Sequence, residues 1–105
     1  MTLESLKSLI ESTKIPTWYG IVPDDQELPY IKLYQTNTDN FKADNKVYKK
    51  VRAIEIELYT ERKNTVLEDA IESVLNDNSI PWESDEQYDD SETFFMQVYS
   101  IQLED

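Results

Sequence analysis

Residues Val51 to Thr60 carry the strongest structural pattern in this 105-residue chain. Apolar residues alternate with charged or aromatic ones: Ile54, Ile56 and Leu58 against Glu55, Glu57 and Tyr59. Because successive side chains of a strand point to opposite faces of a sheet, this period of two predicts a β-strand with one buried and one wet face. The chain is therefore expected to build a sheet that is covered on one side.

The segment that follows this strand has the pattern of an amphipathic helix. Thr65 and Glu68 match a capping box, in which each side chain satisfies a free backbone N–H at the start of a helix. An apolar stripe with helical spacing runs through Val66, Leu67, Ala70, Ile71, Val74 and Leu75. The acidic residues of this segment are expected on the outer side of the helix: Glu68, Asp69 and Glu72.

The remaining elements complete a mixed order of helices and strands. A first helix is expected to begin after an N-cap at Thr2 and to end before Pro16. Further strands are predicted at Thr17 to Val22, Tyr30 to Thr36, Glu86 to Tyr88 and Glu92 to Leu103. The last of these is apolar on both faces, so we expect it in the sheet interior or in an interface. The predicted fold is α+β, a single domain over residues 1–105 with an antiparallel sheet of four to five strands and two helices packed on one face.

The residues that carry most familiar chemistry are missing or scarce. The chain has no cysteine, no histidine and one glycine, Gly20, which excludes disulfides, histidine-dependent triads and a glycine-rich phosphate loop. A carboxylate-only site remains conceivable in the cluster Asp85, Glu86, Asp89, Asp90 and Glu92. Nothing apolar is placed there to raise a carboxyl pKa, and the EF-hand pattern is missing, so we expect a solvated polar loop. We expect no enzyme, no cofactor and no dedicated metal site.

Charge is divided unevenly along the chain. All ten basic residues lie between Lys7 and Lys63, and residues 1–63 hold ten acidic residues as well. From Asn64 onward there are twelve carboxylates and no lysine or arginine, so this part carries the whole net charge of −12. Such a stretch repels nucleic-acid phosphate, which argues against specific DNA binding. A solvated acidic surface explains it, and so does a face shaped for a basic partner or a neighbouring subunit.

A long loop is predicted at about residues 37–50, between two strands that a short turn could connect. Hairpin connections usually take two to five residues, so this excursion needs a reason. It is locally basic, with four lysines against two aspartates between Asp39 and Lys50, and it contains two aromatic residues. One interpretation is a mobile loop, and the other is an arm that orders against a partner or another copy. The candidate contact residues are Asp39, Asn40, Phe41, Lys42, Asp44, Asn45, Lys46, Tyr48, Lys49 and Lys50.

Aromatic residues recur on the predicted sheet. We expect the side chains of Trp18, Tyr30, Tyr34 and Tyr59 to be half-buried. Aromatic residues are enriched in cores and at interfaces alike, so composition does not separate the two roles. If both helices lie on one face, the other face still needs cover.

Several segments together resemble a known protein family. They are Leu28-Pro29-Tyr30-Ile31, Thr38-Asp39-Asn40-Phe41, Ala43 to Tyr48, Ile56-Glu57-Leu58-Tyr59-Thr60, Leu67-Glu68 in the second helix, and a tryptophan-plus-acidic segment before a Tyr99-containing strand. In these features the chain resembles the tail completion proteins (tail terminator or tail-to-head joining proteins) of long-tailed phages and prophages of Gram-positive bacteria.

The resemblance implies a structural role in a virion. Proteins of that family form rings, six-fold in the relatives, that cap the tail tube at its head-proximal end and present a surface to the head connector. They carry no cofactor, and their long inter-strand loop contributes to ring or tube contacts. The implied partners are copies of the chain, the tail tube protein and head connector proteins, with DNA as passing cargo and no membrane. The implied locations are the virion tail and, during assembly, the host cytoplasm.

Two hypotheses of other classes stand beside this one. The net charge of −12 also suits a small acidic inhibitor that imitates DNA and occupies a nucleic-acid-binding protein. Such a mimic needs carboxylates on a rigid element, whereas the acidic cluster is predicted mostly in a loop. The third hypothesis is an enzyme with a carboxylate-only site.

Overall fold

The part of the chain that the structure describes forms two helices and seven strands. The computed structural model describes residues 1–38, 41–43, 46–91 and 93–104, and at 41–43 and 46–49 the description covers the backbone. In chain order the elements are α1 (Leu3–Glu11), β1 (Thr17–Tyr19), β2 (Tyr30–Thr38), β3 (Phe41–Ala43), β4 (Lys46–Lys49), β5 (Val51–Thr60), α2 (Thr65–Asp77), β6 (Glu83–Asp89) and β7 (Phe94–Glu104). The strand predicted at residues 51–60 is confirmed with both of its bounds.

Five of the strands form one sheet in the order β1-β2-β5-β7-β6. The pairs β2–β5, β5–β7 and β6–β7 are antiparallel, whereas β1 and β2 run parallel. The sheet is therefore mostly antiparallel, as predicted, and its β1–β2 edge is the exception. Residues 20–29 carry the chain back to the end of the sheet at which β1 begins. Strand β2 therefore starts beside Thr17 and runs in the same direction as β1. The doubly apolar last strand lies inside the sheet, between β5 and β6, as predicted.

The hydrophobic core lies between one face of this sheet and both helices. Cross-strand neighbours such as Leu33, Ile56 and Tyr99 stand in register on that face. Leu6 and Ile10 of α1 join the same cluster, together with Ile71 and Leu75 of α2. Each of these side chains is almost fully removed from water, which stabilises the fold by about 1.5–3 kcal/mol per large aliphatic residue. The predicted α+β class and the placement of the two helices on one face are confirmed.

The first helix begins as predicted, and the second begins one residue earlier. The Thr2 side chain accepts a hydrogen bond of 3.0 Å from the Ser5 N–H and caps α1. For α2 the N-cap is Asn64, which accepts from the Leu67 N–H at 3.1 Å, so the capping box predicted with Thr65 is wrong. The Asn64 amide oxygen thus satisfies the Leu67 N–H, one residue before the Glu68 N–H that a Thr65 cap was expected to satisfy.

Val66 and Glu68 of α2 lie on the side opposite to the prediction, and Glu72, also expected outside, accepts a hydrogen bond from the Tyr99 hydroxyl of the sheet. Val66, assigned to the apolar stripe, is 75% exposed, and Glu68, expected outside, is buried. Glu68 binds Lys63 across the start of the helix, which gives the buried carboxylate its counter-charge. Within the described residues, neither helix is long and apolar enough to cross a membrane.

Strands replace the predicted long loop and lengthen the short strand predicted in the acidic segment. Strand β2 continues to Thr38, and β3 and β4 pair antiparallel as a separate two-stranded sheet, so the residues described between 37 and 49 are strand rather than loop. We call β3 and β4 together the hairpin arm. The short strand predicted at Glu86 to Tyr88 is confirmed and extends over Glu83–Asp89 as β6, with seven residues paired to β7. Backbone pairing with an apolar neighbour offsets the weak strand propensity of these polar residues.

Candidate interaction surface

The sheet face opposite the helices forms a surface of aromatic and acidic side chains, which we call the open face. The strand register sets three cross-strand rows on it. The rows are Tyr30–Tyr59–Met96–Gln87, Lys32–Glu57–Val98–Asp85 and Tyr34–Glu55–Ser100–Glu83. Residues that oppose each other in this way have Cβ atoms about 4.5–5.5 Å apart, so each row is a line of side-chain contacts.

Three aromatic rings pack together at one end of the open face. Tyr30 and Tyr59 stack with ring centroids 4.7 Å apart and planes 17° apart. Phe94 meets Tyr59 edge to face at 5.4 Å. Both geometries are favourable for aromatic pairs, at about 0.5–1.5 kcal/mol each beyond the area they bury. These rings are half-buried although no described helix covers them, so they form a preorganised apolar platform.

A carboxylate lies at the centre of the open face. Glu57 is 7% exposed and accepts hydrogen bonds from the Tyr59 hydroxyl at 2.7 Å and from the Tyr34 hydroxyl at 3.2 Å. Lys32 stands opposite Glu57 in register, with its ammonium 5.3 Å from the centre of the Tyr34 ring. These donors and the nearby positive charge compensate for removing the carboxylate from water. The cluster fixes the orientation of both tyrosines.

The same cluster shifts the protonation of its neighbours. Burial, together with the Glu57 charge, raises the pKa of Tyr34 to about 12. Burial and the hydrogen bond to Glu57 raise the pKa of Tyr59 further, and burial raises that of Tyr30 as well. Burial and the repulsion of Glu57 raise the pKa of Glu55 above its usual range. The three tyrosines are therefore neutral at physiological pH, and Tyr34 and Tyr59 donate to Glu57.

A concavity of about 410 Å³ opens at the β6–β7 end of the open face. We call it the socket. It is lined by Tyr59, Phe94 and Met96 from the open face, by the acidic residues Asp89 and Asp90, and by Gln87, Tyr88 and Ser91. Asp89 Oδ1 accepts from the Ser91 N–H at 2.9 Å and from the Ser91 hydroxyl at 2.6 Å, which holds the turn that forms one wall. The socket thus combines apolar surface with negative charge.

The acidic cluster considered for a carboxylate-only site is divided by the strand that carries it. Asp85 and Asp89 are the cross-strand neighbours of Val98 and Phe94, which lie on the open face. Both carboxylates are therefore on the open face. Glu86 faces the helices and binds the Lys63 ammonium at 2.7 Å. Glu92 lies outside the described residues. No group of three or more potential metal ligands is present among the residues described.

The predicted contact residues fall in and around the hairpin arm. Five of them belong to strands β3 and β4 of the arm: Phe41, Lys42, Lys46, Tyr48 and Lys49. Lys50 is exposed between β4 and β5. Asp39, Asn40, Asp44 and Asn45 lie outside the described residues. The arm and the open face therefore divide the candidate surface into a basic and an aromatic–acidic part.

The sequence predicted the aromatic residues of the open face but not the burial of Glu57, the carboxylate that binds two of them. Tyr30, Tyr34 and Tyr59 are half-buried, as predicted, whereas Trp18 is exposed at the edge strand and donates to Gln26 at 2.9 Å. Glu57 was assigned to a wet face, yet it is buried among hydroxyls. The available signal was the tyrosine two positions later, which lies on the same face of the strand.

Comparisons with known proteins establish the fold. No family model and no curated protein sequence matches the chain. Its fold is similar to that of a chain in the solved structure "Virion of native gene transfer agent (GTA) particle". The TM-score is 0.61 at 10% sequence identity, with 91% of this chain and 84% of that chain covered. The shared fold therefore extends over most of both chains.

Proposed function

We propose that this protein is a structural subunit of a virion that acts by assembly and catalyses no reaction. The observation that carries the proposal is the fold shared with a chain of a gene transfer agent virion over 91% of the sequence. The open face supports it, because a half-buried aromatic platform without helical cover is what a protein partner would bury. Cofactors have no part in this role.

The finer assignment is a tail completion protein. In this proposal, copies of the chain assemble into a ring, six-fold as the family resemblance implies, that caps the tail tube at its head-proximal end and joins it to the head connector. Charge supports a head-to-tail ring, since every basic residue lies at or before Lys63 and the acidic surplus lies after it. DNA would pass through as cargo, because an acidic surface repels phosphate.

The residues proposed to make subunit or tube contacts are those of the hairpin arm and its flanks. They are Asp39, Asn40, Phe41, Lys42, Asp44, Asn45, Lys46, Tyr48, Lys49 and Lys50. The separate pairing of β3 with β4 supports this role, because these strands contribute nothing to the five-stranded sheet in the described residues. Deleting residues 41–46 should leave the fold intact and abolish assembly.

Removal of the gene from its phage or prophage tests the assignment. Electron microscopy should show tails that are longer than normal or lack heads, and supplying the wild-type gene should restore finished particles. Tubes of normal length without heads would favour the joining role over the terminator role. Normal particles without the protein would refute the virion role altogether.

One observation favours the alternative of an acidic DNA mimic. The carboxylates Glu83, Asp85 and Asp89 lie on one face of a strand, whereas the acidic cluster was predicted mostly in a loop. A regular strand places side chains of one face about 6.6–6.8 Å apart, so these charges have the fixed spacing that a mimic requires. Capture of a nuclease or polymerase from host lysate, lost on changing Asp85 to Asn, would support this alternative.

A further inference from the structure

The socket and the hairpin arm lie at opposite ends of the molecule. The arm precedes Val51 at the start of β5, and the socket includes Tyr59 at its other end. Ten strand residues at about 3.3 Å each separate the two by about 30 Å. The long axis of the molecule, 49 Å, agrees with this separation. An arm therefore cannot reach the socket of its own chain.

The socket favours a positively charged occupant with an apolar stem. It combines aromatic surface with the acidic residues Asp90 and Asp89, the latter held by Ser91, and residues 64–105 contain no lysine or arginine. Aromatic rings and carboxylates together attract an ammonium group, through the ring faces and through direct charge pairing.

The chain itself provides an occupant of this kind. The hairpin arm and the residue after it carry Lys42, Lys46, Lys49 and Lys50 within nine positions. A lysine has a long apolar stem that packs on aromatic surface while its charge meets the rim. The socket volume, about 410 Å³, falls in the range of clefts that bind small ligands, about 300–1,000 Å³.

We infer that the socket of one copy receives the lysine-bearing hairpin arm of a neighbouring copy. The inference rests on the proposed assembly and deepens it by naming the receiving surface. Because arm and socket are different surfaces, the contact is heterologous and repeats in one direction around a ring. Each subunit would then donate one arm and fill one socket, which leaves no unmatched contact in a closed ring.

A charge swap tests the inference. Asp90→Lys should weaken self-association about tenfold, measured by native mass spectrometry on the free protein or on tail tubes. Lys46→Asp should weaken it similarly, and the double variant should regain most of the affinity, because the two reversed charges meet again across the interface. Asp77→Lys is the matched control, since it makes the same charge change at an exposed position on α2.

Carbodiimide cross-linking of wild-type protein gives an independent readout. A mixture of isotope-labelled and unlabelled copies should yield mixed-isotope peptides that join an arm lysine to Asp89 or Asp90. Rings that form equally well with Asp90→Lys, and arm lysines linked elsewhere, would overturn the socket and leave the proposed function standing. Wild-type copies that never associate, free or on tubes, would overturn both.

Discussion

The Tyr59 hydroxyl donates a hydrogen bond of 2.7 Å to Oε1 of Glu57, two residues earlier on β5. Both side chains lie on the open face, where the second carboxylate oxygen accepts from Tyr34 at 3.2 Å. A buried carboxylate thus joins tyrosines from two adjacent strands. This arrangement makes the open face a rigid platform and leads to the first three predictions.

Replacing Glu57 with alanine should lower the free energy of unfolding by about 1–3 kcal/mol, because two half-buried hydroxyls lose their acceptor. Chemical denaturation measures the change. Glu83→Ala is the control, since it removes the same charge from an exposed position on the same face. A Glu57 variant more stable than wild type would mean that the desolvation of the carboxylate outweighs its hydrogen bonds.

Tyr34 should make stability depend on alkaline pH. Its pKa is raised to about 12 in the folded protein, against about 10 when unfolded, so the neutral form is favoured by folding. The resulting stability is complete below pH 10 and is lost as the pH rises through about 12. Across this window the free energy of unfolding should fall with pH less steeply for Tyr34→Phe than for wild type. The two slopes should differ by about 1.4 kcal/mol per pH unit, the value for one proton. Equal slopes for both proteins would contradict the burial of this hydroxyl.

Glu55→Gln should stabilise the protein at neutral pH. Burial and the neighbouring Glu57 charge raise the Glu55 pKa in the folded state, so its charged form destabilises the fold above that pKa. The destabilisation by charged Glu55 decreases as the pH falls through the folded pKa and is gone below the unfolded pKa. The stability difference between Glu55→Gln and wild type should disappear over the same range. Denaturation at neutral and acidic pH measures both. Glu83→Gln, an exposed residue in the same cross-strand row, is the matched control.

The fold could be predicted where residue pattern and packing act together. The alternation in β5 and the apolar stripe of α2 are local signals of the face that the core covers, so both elements appeared where expected. Strand β6 has a weaker signal, and only Glu86 to Tyr88 of it was predicted, since six of its seven residues are exposed and its pairing depends on β7, which follows it in sequence. Polar edge strands are therefore recognised only in part when only local pattern is available.

The candidate surface could be predicted in composition but not in arrangement. The basic segment and the aromatic residues were visible in the sequence, whereas the socket combines Tyr59 with Asp89 and Phe94, about thirty positions later. The burial of Glu57 likewise depends on Tyr34, which lies on a different strand. Contacts between distant residues follow from strand order, and strand order was not determined by the sequence pattern.

Lys63 should contribute more to stability than an ordinary surface lysine. Its ammonium lies 2.9 Å from Glu68 and 2.7 Å from Glu86, and thereby connects the start of α2 to β6. Lys63→Ala should lower the free energy of unfolding by about 1 kcal/mol, because the buried Glu68 loses its partner. Lys7→Ala is the control, since it breaks only an exposed pair with Glu11 at 3.7 Å.

The pH dependence of the Lys63 contribution has a definite sign. Hydrogen bonds to Glu86 and then to Glu68 raise the Lys63 pKa above its ordinary value of 10.5. The contribution is therefore complete below pH 10.5 and is lost as the pH rises through the higher folded value. The stability difference between wild type and Lys63→Ala should shrink over that range. A difference that persists at higher pH would mean that the lysine stem, rather than its charge, stabilises the fold.

Tyr99 should prove to be coupled to Glu72 across the core. Its ring is fully buried, and its hydroxyl donates to Glu72 Oε2 at 2.7 Å, so a residue expected on the outer side of α2 instead binds the sheet. Tyr99→Phe should cost about 1–2 kcal/mol, and so should Glu72→Ala. The double variant should cost about 1 kcal/mol less than the sum of the two, because each single change already breaks the shared bond. Additive losses in urea denaturation would show that the two side chains stabilise the fold independently, and would refute the hydrogen bond as a link between helix and sheet.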